Sequence, residues 1–341
     1  NEHKFRFHTY MENDMPSKHA GVGMARKIGM DEAVRRFEKV GNHLGIIACF
    51  DADSSCDVNY LTELEKHFEE NPDTPGCSIQ FKHPTFGTEY EPHTYLGIKY
   101  YELHLRYYNQ AMRSTGFLHA FHTIGSAMAV RANAYQKQGG MNRRKAGEDF
   151  YFLHKIIALG NFTELNSTCI YPSPRPSDRV PFGTGRAIND YLKNPQKGFF
   201  TYNPKAFDYL NIFFKNVPEF YFTTPELVSL GGVIPYAMID FLNAYFFDER
   251  ILEIKRNSSG VHSFEKRFYR WFNAFMILKF VHFVRDNAHP NMRVERAALE
   301  FLRKVNYPGV NKIQSIDSLL EVYRQLDRLG TVGKIKNDPP E

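Results

Sequence analysis

Between residues 20 and 187 the chain alternates short apolar runs with stretches whose apolar positions recur at helical spacing. A glycine-containing stretch leads into an amphipathic helix over 21–40, with Ala25, Ile28, Ala33, Val34 and Phe37 turned inward. Residues 44–50 are an apolar run that predicts a buried strand, and 58–70 predict a helix closed by the breaker Asn71-Pro72-Asp73-Thr74-Pro75-Gly76. Further strands are predicted over 77–81, 123–131 and 162–170, and further helices over 95–114, 132–138 and 148–159, with Gly139-Gly140 stopping the second of these. Residues 5–10 alternate and predict one more short strand, and 83–92 read as a loop. Such alternation of strand and helix predicts an α/β domain with a mainly parallel sheet and helices on both faces. After about residue 187 strand signals vanish, and helices are predicted over about 225–248, 263–287, 291–304 and 314–329. The chain therefore divides into an α/β domain over 1–187 and a helical domain over 188–341.

Composition narrows the functional classes. The 341 residues are 43% hydrophobic and 24% charged, enough for an ample core. The net charge of +5 suits anionic substrates such as nucleotides, or an acidic membrane face, and is too small and dispersed to argue for nucleic acid. Cys49, Cys56, Cys77 and Cys169 show neither CxxC pairing nor disulfide spacing, and no signal peptide is visible, so a reducing, cytoplasmic compartment is expected. No apolar run reaches about 18 residues, so no membrane span is predicted. The segment 267–285 is aromatic and flanked by basic residues. It reads as the central helix of the C-terminal bundle, because apolar residues cover nearly its whole circumference; peripheral contact with a membrane is the alternative.

The candidate chemistry begins where the first apolar run ends, at Asp51 and Asp53. Ligands bind at the C-terminal edge of open α/β sheets, and two carboxylates there supply hard oxygen ligands for Mn²⁺ or Mg²⁺, an ion that suits a diphosphate. Gly125 and Ser126 open a later strand with small side chains that admit a ligand to the backbone. Glu148-Asp149 begins a helix, whose free N–H groups keep a carboxylate ionised, as a general base for a hydroxyl nucleophile requires. Within the proline- and glycine-rich loop 171–186, residues 177–186 are a candidate lid, with Arg179 and Arg186 placed to grip phosphate; a plain interdomain connection is the other reading. His119 and His122 are candidates for lining an acceptor site, against an ordinary structural role. Tyr100, Tyr101, Tyr107 and Tyr108 recur at helical spacing and read as core packing in preference to sugar stacking.

In these residues the chain resembles the family-2 glycosyltransferases of GT-A (Rossmann-like) fold. The matching pieces are Phe50-Asp51-Ala52-Asp53, Gly125-Ser126 with Val130-Arg131, Gly139-Gly140 and Glu148-Asp149, preceded by Gly21-Val22-Gly23-Met24-Ala25-Arg26-Lys27 and Ala33. The resemblance covers roughly residues 20–190 and rests on the order and spacing of the pieces. It implies that Asp51 lies near the ribose or the metal, that Asp53 binds the divalent ion on the donor diphosphate, that Arg26 and Ser126 belong to the donor site, that Asp149 deprotonates the acceptor hydroxyl, and that Glu148 orients acceptor or base. The implied partners are a nucleotide-sugar donor and a glycan or lipid-linked acceptor, and the implied outcome is inversion at the anomeric carbon, with retention on the same fold left open. Two departures stand out. The family's opening strand and Pro-x-Tyr-Asn-like turn are missing, so the chain reads as N-terminally trimmed, or else its base pocket is built otherwise. No histidine occurs between His154 and His262 to serve as a third metal ligand, which leaves Asp178 as the candidate substitute.

Two other classes remain. Phe50-Asp51-Ala52-Asp53-Ser54-Ser55 also looks like the first motif of haloacid-dehalogenase-type phosphatases, with Asp51 as nucleophile and Asp53 as acid/base. A non-catalytic, transferase-like carbohydrate-binding protein is the third reading.

Overall fold

The computed structural model describes residues 7–12, 14–16, 18, 20–223, 230 and 232–330. In chain order its elements are α1 (Val22–Lys39), β1 (Ile46–Cys49), β2 (Ser55–Cys56), α2 (Tyr60–Glu70), β3 (Gly76–Phe81), α3 (Pro92–Ser114), β4 (Met128–Arg131), α4 (Ala132–Lys137), α5 (Glu148–Ile157), β5 (Thr163–Tyr171), α6 (Thr184–Lys193), β6 (Phe200–Thr201), α7 (Pro204–Lys215), α8 (Val217–Thr223), α9 (Tyr236–Ala244), α10 (Phe247–Arg256), α11 (Val261–Trp271), α12 (Ala274–Asn287), β7 (Met292–Arg293), α13 (Val294–Lys304) and α14 (Ile316–Leu329). They form two compact units: Asn1–Lys82 with Thr123–Arg186, and His83–His122 with Ala187–Glu341. The first unit is discontinuous. Residues 83–122, which the sequence pattern places inside 1–187, group with the helices of the second.

The first unit holds a five-stranded sheet in the order β1-β4-β3-β5-β2. Its class is α/β, but the expectation of a mainly parallel sheet is corrected. β1, β3 and β5 run one way: β3 pairs with β5 in parallel, and β1 and β3 both pair antiparallel to β4, which is wedged between them. The two-residue β2 runs antiparallel to β5. An apolar tetrapeptide such as Met128-Ala129-Val130-Arg131 encodes burial, not direction. Direction is set by the connection, and the connection from β3 to β4 runs through 83–122 and therefore is no simple βαβ crossover. β3 is buried along its whole length, whereas β1 is an edge strand that leaves Ala48 exposed.

Two further expectations shift. On α1 the inward residues include Gly23, Met30 and Val34, while Ala25 is exposed. The first turn of this helix is held tightly: a Cβ on Gly23 would lie 2.2 Å from the Arg144 carbonyl oxygen. The strand expected over 123–131 begins only at Met128: the chain enters it through a turn closed by the Ala127 N–H on the Ile124 carbonyl at 3.0 Å, and the Ala127 carbonyl accepts the Ile79 N–H at 2.9 Å. Of the short strand expected over 5–10, residues 5 and 6 lie outside the described residues and 7–10 have no regular structure.

The second unit is built on α3, whose one face carries apolar residues and whose buried turns also carry charge. Of the four tyrosines expected to pack in the core, Tyr107 is buried and Tyr100, Tyr101 and Tyr108 are half-buried; Leu103 is buried beside them on the same helix. Glu102 accepts from Arg106 Nε at 2.9 Å and from Arg324 Nε of α14 at 2.8 Å, and its other oxygen accepts the His83 backbone N–H at 2.7 Å. Arg106 also bonds Asp327 of α14, which in turn accepts from Gln110 at 2.7 Å and faces His122 Nε2 at 2.9 Å. The helix expected over 263–287 is broken at Phe272-Asn273, where the Asn273 side chain accepts the N–H groups of Phe275 and Met276 and caps α12. Phe213 packs at a tilt against Phe272 at 5.0 Å and Phe268 at 5.8 Å, and Phe268, Phe272, Ile277 and Phe280 are fully buried, so the aromatic segment 267–285 supplies bundle core. Of the helix expected over about 225–248, residues 225–229 and 231 lie outside the described ones, and the rest is shared between α9 and the start of α10. Among the described residues no helix is long and apolar enough to cross a membrane.

Candidate active site

The sheet register assembles the site. Cys49 at the end of β1 pairs with Met128 at the start of antiparallel β4, so the segment leaving β1 (50–53) lies beside the segment entering β4 (125–127). Ser55 of β2 pairs with Tyr171 at the end of β5, so the residues just before β2 lie beside those just after β5. One edge of the sheet thus gathers the turn of Asp51 and Asp53, Gly125-Ser126, and the start of the proline-rich stretch. The turn is closed by the Ser54 N–H donating to the Asp51 carbonyl at 2.9 Å.

Arg26, one turn into α1, joins the pieces. Its Nη2 donates to Asp51 Oδ1 at 2.6 Å and its Nη1 donates to Glu148 Oε1. Gly125 is pressed against the same guanidinium: a Cβ there would lie 2.3 Å from Arg26 Nη1, so only glycine admits this approach. Burial by itself would lower the Arg26 pKa, and the Asp51 and Glu148 carboxylates more than reverse that, so the group stays charged.

Glu148 and Asp149 form the first turn of α5. The residue before them, Gly147, has φ 66°, a left-handed conformation that favours glycine, and a Cβ there would also meet the Phe182 ring at 2.9 Å. The loop entering α5 is braced by Asn142, whose Nδ2 donates to the Glu148 carbonyl at 2.9 Å. Asp149 accepts the Phe150 N–H at 2.7 Å and the Gly125 N–H. Both carboxyls are held above the usual range. For Glu148 the causes are burial and then the charge of Asp149, with Arg26 working the other way. For Asp149 the cause is burial, opposed by Arg26 and the backbone donors. Cys49 lies beneath this group, its thiol 3.7 Å from Met30 Sδ and pushed up to about 12 by burial, an inert core thiol. All four cysteines are free.

The remaining expected residues fall as follows. Ser126 is buried at the entry to β4. Arg131, part of the motif, is structural: its guanidinium donates to the carbonyls of Thr74, Leu44 and Phe68 at 3.1, 3.2 and 2.8 Å. The Arg179 backbone N–H donates to Ser177 Oγ at 3.3 Å, and Arg186 Nη1 lies 3.6 Å from Asp178 Oδ1. Asp178 therefore faces an arginine. It forms no ligand group with Asp51 and Asp53, since among the described residues no three His, Cys, Asp or Glu side chains are grouped to hold a metal ion. His119 and His122 belong to the second unit, where His122 is bound to Asp327. One residue of the site escaped the sequence reading: Arg175, whose Nη2 donates to Asp53 Oδ2 at 2.8 Å. Its signal was present in Pro172-Ser173-Pro174-Arg175-Pro176, an arginine on a stiff extended arm, but its partner follows only from the β2–β5 register.

Four carboxylates (Asp51, Asp53, Glu148, Asp149) and two guanidiniums (Arg26, Arg175) make up this group, a balance of −2 when all are ionised. That balance fits one divalent cation. Mg²⁺ in particular is commonly held by one or two carboxylates and completes its shell with water and phosphate oxygens, so the lack of a three-residue ligand group is compatible with it. Asp51 and Asp53 are the residues that would hold it. Comparison of the chain with protein-family models, with curated proteins and with solved structures gives no match.

Proposed function

We propose that this protein is a metal-dependent glycosyltransferase that moves a sugar from a nucleotide-diphospho-sugar to an acceptor hydroxyl with inversion. The observation that carries the reading is the Arg26 hub. Three motif pieces far apart in the sequence, at 51, 125 and 148–149, converge on the guanidinium of a fourth, Arg26, at the edge of the sheet where β1 and β5 end. Asp149 is the general base. It sits in the first turn of α5, fixed by the N–H groups of Phe150 and Gly125, and its raised pKa makes it a better proton acceptor than an ordinary carboxylate. Glu148, bound to Arg26, holds that guanidinium and the first turn of α5 in register with Asp51. Asp51 and Asp53 would hold a Mn²⁺ or Mg²⁺ ion, which would supply charge neutralisation for the departing nucleoside diphosphate. Gly125 admits the Arg26 guanidinium against its backbone and gives its N–H to Asp149. The phosphatase reading needs Asp51 as a free nucleophile, and its pairing with Arg26 at 2.6 Å weighs against that.

Thermal unfolding against UDP-, GDP-, CDP- and dTDP-sugars, with and without Mn²⁺, tests the proposal. One nucleotide class is expected to raise the midpoint, only with Mn²⁺, and Asp53→Ala is expected to abolish the shift. No shift with any of the four would count against a donor site in this chain.

A further inference from the structure

Resting on the transferase reading, we propose that Arg175 is a switch ligand: it neutralises Asp53 when no cation is bound and, once a divalent cation displaces it, turns to the donor's diphosphate.

The argument begins with the register. Ser55 pairs with Tyr171, so Asp53 precedes and Arg175 follows the same pair of strand ends. Pro172, Pro174 and Pro176 fix alternate φ angles and bias the residues between them to extended conformations, so Arg175 stands on an arm with little freedom to collapse. The Arg175 N–H donates to Ser173 Oγ at 3.2 Å, and the base of the loop is closed by the Ser177 N–H donating to the Gly185 carbonyl at 2.9 Å. Farther along, Phe182 lies against Gly147, immediately before Glu148-Asp149. A single loop therefore touches the carboxylate assigned to the cation and the entry to the catalytic helix.

The pair is built to exchange. The Arg175 and Asp53 side chains are 47% and 44% exposed, so their attraction is screened by water and salt. A divalent ion brings twice the charge in a compact shape and wins the carboxylate. The guanidinium it releases stays tethered at the same sheet edge, and its planar fork matches the oxygens of the diphosphate that accompanies the ion. The Arg26–Glu148 contact, by contrast, is buried and stays in place as a fixed strut.

Calorimetric titration of the full chain with Mn²⁺ alone, and then with inorganic pyrophosphate at saturating Mn²⁺, separates the two halves of the switch. Arg175→Gln is expected to bind Mn²⁺ about two- to fivefold more tightly than wild type, the scale of one exposed ion pair removed. The same variant is expected to bind pyrophosphate about tenfold more weakly, the scale of a lost charged hydrogen bond. Arg175→Lys keeps the charge and should lie nearer wild type on both. Asp53→Asn should lose Mn²⁺. If Asp53→Asn loses the ion while Arg175→Gln leaves either affinity at the wild-type value, or weakens Mn²⁺ binding, the switch is overturned and the transferase reading stands. Mn²⁺ binding that survives in Asp53→Asn, or is absent from both wild type and Arg175→Gln, overturns the two together.

Discussion

On the proposed function, Arg26, Glu148 and Asp149 trade stability for chemistry. Arg26 holds two carboxylates and stays charged, while Glu148 and Asp149 are lifted because burial costs their ionised forms more than Arg26 and the backbone donors return. A carboxyl whose folded pKa lies above its unfolded value binds more protons in the folded state. Stability therefore falls as pH rises from the unfolded pKa through the folded one, and at neutral pH the ionised group is a net cost. Asp149→Asn should thus lower kcat about 10²- to 10⁴-fold while leaving the unfolding midpoint at pH 7 unchanged or higher. Activity assays and thermal melts on the same preparation check this, and a midpoint that falls along with activity would contradict it. The acid limb of kcat/KM in the wild type should lie above the ordinary carboxylate range for the same reason.

At the scale of elements, two registers do the positioning. The β1–β4 pairing brings Gly125 to Arg26, and the β2–β5 pairing brings Arg175 to Asp53. In the second unit the corresponding device is the clasp between α3 and α14, where Glu102, Arg106, Gln110 and Asp327 are all buried. Both carboxyls there are held low. Burial opposes this, but the charges of Arg106 and the histidines outweigh it, with Arg324 also bonding Glu102. Removing one member leaves its partners buried and uncompensated. Arg106→Met should cost about 3–5 kcal/mol in urea unfolding. A cost below about 1 kcal/mol for the single change, the level of an exposed ion pair, would mean that the clasp contributes no more than a surface contact.

For the whole molecule, the site carboxyls of the first unit and the clasp carboxyls of the second respond to acid in opposite senses. Glu148 and Asp149 of the first are raised by burial, which acid relieves, whereas its Glu32, on α1, is held low by Arg35 and Arg36. The second carries carboxyls depressed by their partners, whose stabilisation is complete above the unfolded carboxylate range of about 4 and is lost as pH falls through the folded values. Trp271 is the single tryptophan and packs on Phe247 in the second unit, so its fluorescence reports that unit. Urea midpoints followed by Trp271 should hold steady from neutral pH to about pH 5 and then drop. Asp327→Asn should start lower and flatten the drop; an unaltered slope would assign the acid sensitivity elsewhere.

The sequence by itself determined where most elements lie and singled out the residues of the proposed site. Apolar runs and helical spacing located β1, β3, β5, α2, α5 and α14 to within a few residues, because burial periodicity is a local property of the chain. Asp51, Asp53, Gly125 and Glu148-Asp149 were legible because turn, close approach and helix start each demand particular residue types at fixed spacing. Tertiary structure alone decided the rest. Strand direction is a property of connections, so the reversed β4 and the departure of 83–122 into the second unit were not written in the apolar pattern. Ion pairing joins residues more than a hundred positions apart, as in Arg26 with Glu148 and Arg175 with Asp53, and no local signal encodes a partner at that distance. His122 shows the converse: beside Gly125 in sequence, it is bound instead to Asp327, because the chain crosses from one unit to the other between His122 and Thr123.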